Sequence, residues 1–350
     1  MRPSILLEMR KELLNAIQKL SGPNKKILED IYDIEFDEVK LKIPKEMKPW
    51  ATKTFGNVKN VEHQNLIKIY NKYLFEGSSF NSLRSSRPTT NQEETKIKSF
   101  KPFENTDSLT SKQEFKAITG KHSKTVANVA AYEKHHSLVV FNKRNPLNQS
   151  LNEIKSHLKT SQKWFEKVEE INETHENKLL IWNCLWRAGS SVPHGHFQLL
   201  ATKKPMPYVR KLKKATKNYQ EKGSNYFKDQ ISLYKELGLY QKNQKAHILF
   251  TLTPTKEKEI IIYTNEKNVS KMYKEFNQAY QFFKKQNIES FNASIFISNT
   301  KNTPSIIKFV DRGSLNNKSS DIGSMEIHAK LYVISSNPFK QKKLFTKFNQ

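Results

Sequence analysis

The sequence predicts an α+β protein of two similar halves, each an antiparallel sheet with one helix packed on it. The order strand–strand–helix–strand–loop–strand occurs in 121–202 and returns in 246–350, a duplication by pattern and not by residue identity. Strand-like apolar runs adjoin helices with a single apolar stripe, and such elements bury one another as a sheet layer and a helix layer. At 350 residues the chain is long enough for about two domain-sized units.

Region 1–120 is read as helical and extended, with a polar loop. Its opening segment places Ile5, Leu6, Met9, Leu13, Ile17 and Leu20 on one helix face, while 84–112 is polar and lacks periodicity. The first half, 121–202, begins with two strands around a short turn in 125–142. Ser150 and Glu153 then form a capping-box signature. Leu151, Ile154, Leu158, Phe165, Val168 and Ile171 mark the stripe of a long helix, followed by buried strands at 178–184 and 197–201. A Lys-rich, largely helical connector spans 203–245. In the second half paired strands are expected at 247–252 and 259–263, a helix over 268–285, an alternating strand at 290–298, and a closing strand at 325–335.

Lys and Arg number 60 against 34 Asp and Glu, a net charge of +26. That charge favours anionic partners such as nucleotides or nucleic acid, although lysine is spread over the whole chain. The single cysteine, Cys184, excludes an intrachain disulfide and a cysteine-based zinc site. No apolar run reaches the length that spans a bilayer, and Glu8, Arg10, Lys11 and Glu12 interrupt any signal-like apolar core. The chain is expected to be cytoplasmic, with no membrane partner.

One short stretch carries chemistry: "SSVPHGHFQLLA", 190–201. Strand alternation puts His194, His196 and Gln198 on one face. A histidine neutral near pH 7 is a nucleophile toward phosphorus, and Gln198 offers an amide donor with no proton to hand over. Ser190, Ser191 and the backbone of the preceding "AGSS" turn add donors for an anion. Taken as a bare pair, H-x-H also suits a polar turn or two ligands of a zinc ion.

The longer string "NCLWRAGSSVPHGHFQLLA" resembles the galactose-1-phosphate uridylyltransferase-like branch of the histidine-triad (HIT) superfamily. Asn183, Gly189, Ser191, Pro193, His194, His196 and Gln198 match that branch in order and spacing. The resemblance covers about 125–265 and fades toward both ends. It implies two HIT-like halves, the second degenerate, and a nucleotidyltransferase working through a covalent nucleoside monophosphate on His196. Gln198 would bind the phosphoryl oxygens, with Asn183 and Ser191 on the substrate phosphates. A hexose-1-phosphate uridylyltransferase-like activity, with nucleotide-sugar donor and sugar phosphate acceptor, is the first expectation. A phosphorylase of dinucleoside polyphosphates or nucleotide sugars, similar to ATP adenylyltransferases, is the second. A non-catalytic nucleotide- or RNA-binding protein is the reading of another class. The family's habit also implies a homodimer.

Some members of that branch hold zinc through two cysteines and two histidines. His136 and His194 fall near the histidine positions, but the cysteine pair is absent. In the second half 308–328 matches the family's sugar-phosphate segment poorly. Lys308, Arg312 and Lys318 are expected in an anion loop there, with Glu326 and His328 sharing a face of the last strand. Arg84 and Arg87 resemble a basic Arg-Pro element near the nucleotide site.

Overall fold

The computed structural model describes residues 5–86, 103, 116–300 and 303–350. One sheet has four strands, β1 (Tyr32–Lys40), β2 (His63–Asn71), β3 (Glu76–Phe80) and β13 (Leu331–Ile334), and β13 runs parallel to β3. The other has nine. Its first-half strands are β4 (Ser123–Ala127), β5 (His135–Phe141), β6 (Asn177–Cys184) and β7 (His196–Thr202). The rest are β8 (Tyr240–Asn243), β9 (Ala246–Phe250), β10 (Glu257–Thr264), β11 (Phe291–Phe296) and β12 (Ser305–Asp311).

The nine strands lie in the order β4-β5-β7-β6-β11-β12-β10-β9-β8. Residues 123–202 therefore contribute β4-β5-β7-β6, and 246–311 contribute β9-β10-β12-β11 read from the opposite edge. The strand order is the same in both, and each inserts a helix between its second and third strands: Leu151–Ile171 and Tyr273–Lys285. The expectation of a separate sheet per half is corrected here. β6 and β11 pair antiparallel from Cys184↔Phe291 to Leu179↔Phe296, so the two units share one continuous sheet and neither leaves that edge unpaired.

Both helices lie on the same face. Trp182, Phe197, Phe291 and Phe309 meet Phe276, Tyr280 and Phe283 of the second helix in edge-on and tilted ring contacts, and Phe141 stacks on His157 of the first. These are among the largest apolar surfaces the chain buries, on the order of 2–3 kcal/mol each. The long helix starts at the predicted box: the Ser150 N–H donates to Glu153 Oε2 at 2.7 Å, and the Glu153 N–H to Ser150 Oγ at 3.3 Å. Its stripe is buried at Ile154, Leu158, Phe165 and Val168, whereas Leu151 and Ile171 at the two ends are exposed.

The structure departs from the expected pattern at the C-terminal side. The strand that closes the second unit is β12, not 325–335. Ser324–Ile327 forms one helical turn, and Leu331–Ile334 leaves for the N-terminal sheet. The connector holds two helices, Pro207–Gln220 and Tyr226–Glu236, and adds β8 to the sheet edge. Tyr208 packs on Phe296 and Phe227 on Tyr263, so these helices cover the second unit's other face. Buried hydroxyl contacts of Tyr32, Tyr234, Gln230 and Tyr263 lock β1 to the connector and to β10.

Candidate active site

On the helix-free face of the first unit, pair registers bring β5, β7 and β6 side by side, with Leu138↔Gln198 and Ile181↔Gln198 in line. His136, His196, Gln198 and Asn183 share that face by alternation. Gly195 sets the strip's entry. Its N–H donates to the Arg144 carbonyl at 2.8 Å and its carbonyl accepts from Phe141 N–H at 3.0 Å. A Cβ there would sit 2.6 Å from Phe141 Cδ2, so only glycine fits.

The His196 Nδ1 lies 2.8 Å from the His194 carbonyl oxygen. A carbonyl only accepts, so Nδ1 carries the proton and Nε2 keeps a bare lone pair. His194 is held the same way, with Nε2–H donating to the Phe141 carbonyl at 2.7 Å. Burial pushes both imidazoles below the usual histidine range, which keeps them neutral at pH 7. Phe103 lies edge-on to both rings, at 5.4 and 5.8 Å, and packs on Val126, Leu138 and Val140.

Gln198 is oriented by two neighbours. Its Oε1 accepts from Tyr132 OH at 2.7 Å and from His136 Nε2 at 3.2 Å. Both contacts use the amide oxygen, which turns the NH2 away from them. His136 Nδ1 in turn accepts from the Tyr132 N–H at 3.4 Å, and the Asn128 amide lies 3.0 Å from Nε2. Burial lowers the His136 pKa, against the opposing pull of Gln198.

Asn183 accepts from Asn292 Nδ2 at 2.7 Å across the β6–β11 seam, leaving its own NH2 available. Asn292 also donates to the Ala188 carbonyl at 2.8 Å and accepts from Arg312 Nη1 at 2.5 Å. The turn after β6 places Leu185 at φ 67° and Gly189 at φ 89°, a left-handed bend costly for leucine. The Ser190 hydroxyl donates to the Val192 carbonyl at 2.6 Å and is buried, whereas Ser191 is exposed. Of the predicted serines, Ser191 is the one free to meet an anion.

No protein-family model matches the chain, and no curated protein matches it. Solved structures do. An ADP-glucose phosphorylase from Arabidopsis thaliana with bound ADP-glucose superposes with a TM-score of 0.60 at 15% identity, covering 79% of this chain and 97% of that one. A structure described as uridylyltransferase gives 0.56 at 15% identity over 66% of this chain and 89% of that one. A galt-like protein from Arabidopsis thaliana gives 0.52 at 17%, over 64% and 83%. The fold is that of the galactose-1-phosphate uridylyltransferase-like proteins.

On this uridylyltransferase-like fold the expected zinc ligands do not fit a metal. Both His136 nitrogens and His194 Nε2 are engaged in hydrogen bonds. Cys184 is buried on the opposite, helix-covered face, where burial pushes its thiol pKa up. Among the described residues no three His, Cys, Asp or Glu side chains cluster as ligands. His136 instead orients Gln198.

The second-half candidates separate. Lys308 lies in β12 rather than in a loop, and its ammonium pairs with buried Glu259 at 2.7 Å. Burial works to lower the Lys308 pKa, but Glu259 outweighs it and holds the lysine charged. A lysine whose charge is already spent on a carboxylate is a poor binder of a further anion. Arg312 makes a bidentate pair with Asp321 at 2.7 and 2.8 Å while reaching Asn292, and so touches the strip's surroundings through Asn183. Lys318 and His328 are exposed; His328 follows the Ser324–Ile327 turn, and Glu326 caps that turn through the Gly323 N–H, so the two share no strand face. Arg84 lines a cavity of about 660 Å³ with Arg187, Lys256 and Arg312. Arg87 lies outside the described residues.

Sequence reasoning missed Tyr132, Asn128, Phe103 and Asn292. Tyr132 and Asn128 precede β5 in a turn with no motif, and their value appears only when β5 pairs with β7. Asn292 becomes visible only because β11 is the neighbour of β6. No helix of the described residues is long and apolar enough to cross a membrane.

Proposed function

We propose that the chain is a nucleotidyltransferase acting through a covalent nucleoside monophosphate on His196. The observation that carries this is the 2.8 Å contact from His196 Nδ1 to the His194 carbonyl, which leaves on Nε2 the lone pair a nucleophile needs. In the first step the Nε2 lone pair attacks the α-phosphorus in line with the departing phosphate oxygen. The N–P bond forms, the P–O bond breaks, and the leaving phosphate takes the electron pair. A phosphate oxygen of the acceptor then attacks phosphorus, the N–P bond breaks, and neutral imidazole returns. Leaving group and acceptor are both phosphate anions, so neither step needs a proton delivered at phosphorus. Gln198, locked by Tyr132 and His136, suits that requirement: its NH2 supplies hydrogen bonds to a non-bridging oxygen. Asn183 and Ser191 would hold the substrate phosphates.

The donor we favour is a nucleotide sugar, with a sugar 1-phosphate as acceptor. A phosphorylase, with inorganic phosphate as acceptor, is the second reading, supported by the near-complete coverage of the ADP-glucose phosphorylase chain. The test is intact-protein mass after separate incubation with UDP-glucose, UDP-galactose, ADP-glucose, GDP-sugars, ATP and Ap4A, without acceptor. An acid-labile gain of one nucleoside monophosphate, absent in His196→Asn, names the base. Its discharge by glucose 1-phosphate or by inorganic phosphate names the acceptor. No adduct from any donor, despite bound nucleotide, removes the covalent mechanism.

A further inference from the structure

Behind the sheet, on the helix layer and away from the strip, the outer side of the Leu151–Ile171 helix and the 119–122 segment before β4 enclose a groove of about 910 Å³. Five lysines line it, Lys121, Lys143, Lys155, Lys159 and Lys163, against one acid, Glu153. Glu153 is committed to the Ser150 cap and lies 3.7 Å from Lys143. Lys121, Lys155, Lys159 and Lys163 are exposed, and Lys155 holds its ammonium 4.8 Å from the ring of Tyr273, a contact that leaves its charge unneutralised. Like charges gathered this way repel one another, so the cluster lowers stability unless an anion covers it.

We propose that this groove binds the phosphodiester backbone of single-stranded nucleic acid without reading its sequence. Lys155, Lys159 and Lys163 follow one another at i, i+4 and i+8, one helix face with steps of about 6 Å. Such a row meets successive charges of an extended polyanion better than one compact anion. The lining holds no Arg, Phe, Tyr or Trp, so it offers neither a bidentate base reader nor a stacking platform. The floor is short and polar, with Ser156 and Thr160 beneath the lysines. Lysine ammonium groups on flexible stems contact phosphates as point charges, the mode that gives affinity without specificity.

The experiment uses the full chain, two labelled single-stranded RNAs of unrelated sequence, and fluorescence anisotropy over a series of NaCl concentrations. The variant is Lys155→Gln/Lys159→Gln/Lys163→Gln, a change between good helix formers at exposed positions. Its control removes equal charge elsewhere, at exposed Lys214, Lys217 and Lys340. The expected result is similar affinity for both RNAs, a loss of tenfold or more in the groove variant at low salt, and a salt slope shallower by about 2, from three phosphates at about 0.7 each. The control should stay within about twofold of the parent protein. Equal losses in both variants, or an unchanged slope in the groove variant, overturn the proposal and return the charge to a general surface bias. No RNA binding at low salt overturns it as well. Nucleotidyl transfer is measured in parallel; its persistence in the groove variant separates this proposal from the strip's chemistry.

Discussion

The two units of the large sheet share strand order and helix placement, yet they finish their common face differently. On β7 that face carries His196 and Gln198, each with one end fixed by hydrogen bonds and the other left available. On β12 the same face carries Lys308, whose charge is spent on Glu259 beneath the ring of Tyr208, 5.1 Å away. The connector helices cover the second unit's face, whereas the strip's neighbour across the face is Phe103. One scaffold therefore supports a surface where polar groups are half-satisfied, and a covered one where the lysine is spent on a buried carboxylate. The difference lies in what covers the sheet and not in how the sheet is built.

That contrast can be broken most sharply at its two centres. His196→Asn should lower turnover by at least about four orders of magnitude while nucleotide binding, read by titration calorimetry, changes little. Lys308→Met should leave Glu259 buried and unpaired, costing about 3–5 kcal/mol in urea unfolding. Adding Glu259→Leu to that variant should recover most of the loss. If Lys308→Met instead abolishes transfer with stability unchanged, the second unit is part of the chemistry.

Gly195→Ala tests how closely the strip is set. The new Cβ would press on Phe141, whose carbonyl holds His194, and a displacement of about 1 Å should cut kcat by about a hundredfold. Circular dichroism should show the fold retained.

A buried histidine distinguishes the first unit's core as well. His157 stacks on Phe141 at 3.9 Å, bonds Gln149, and burial drives its pKa to about 3, whereas the second unit packs Phe276 on Phe309. The folded value lies below the unfolded one, so this stability is complete above about pH 6.5 and is lost as pH falls toward 3. The group should remove about 2 kcal/mol between pH 7.5 and 5. In His157→Phe, urea titrations at the two pH values should differ by that much less.

Tyr132→Phe gives the smallest effect. It removes one of the two contacts on the Gln198 oxygen and should lower kcat by about tenfold or less, with KM nearly unchanged. A fall in KM-based binding alone would show that Tyr132 contacts substrate instead of orienting Gln198.

The strip was legible because its signal is local: alternation sets His196 and Gln198 on one face whatever lies beside them, while His194, just ahead of the strand, is held by the Phe141 carbonyl. Local patterns also fixed the capping box at Ser150, the apolar stripe of the long helix, and the repeated order of strands and helix. Which strands become neighbours depends on contacts far apart in the chain, and no short window carries them. Thus β6 meeting β11 decided that there is one sheet and made Asn292 a partner of Asn183. β5 beside β7 turned His136 from an expected zinc ligand into a support for Gln198. The departure of 331–334 to the N-terminal sheet, and the pairing of Lys308 with Glu259, were hidden for the same reason. The sequence by itself determined which side chains share a face, since backbone geometry dictates that. Only the tertiary structure decided what each face meets, because burial and pairing energies depend on partners distant in the chain.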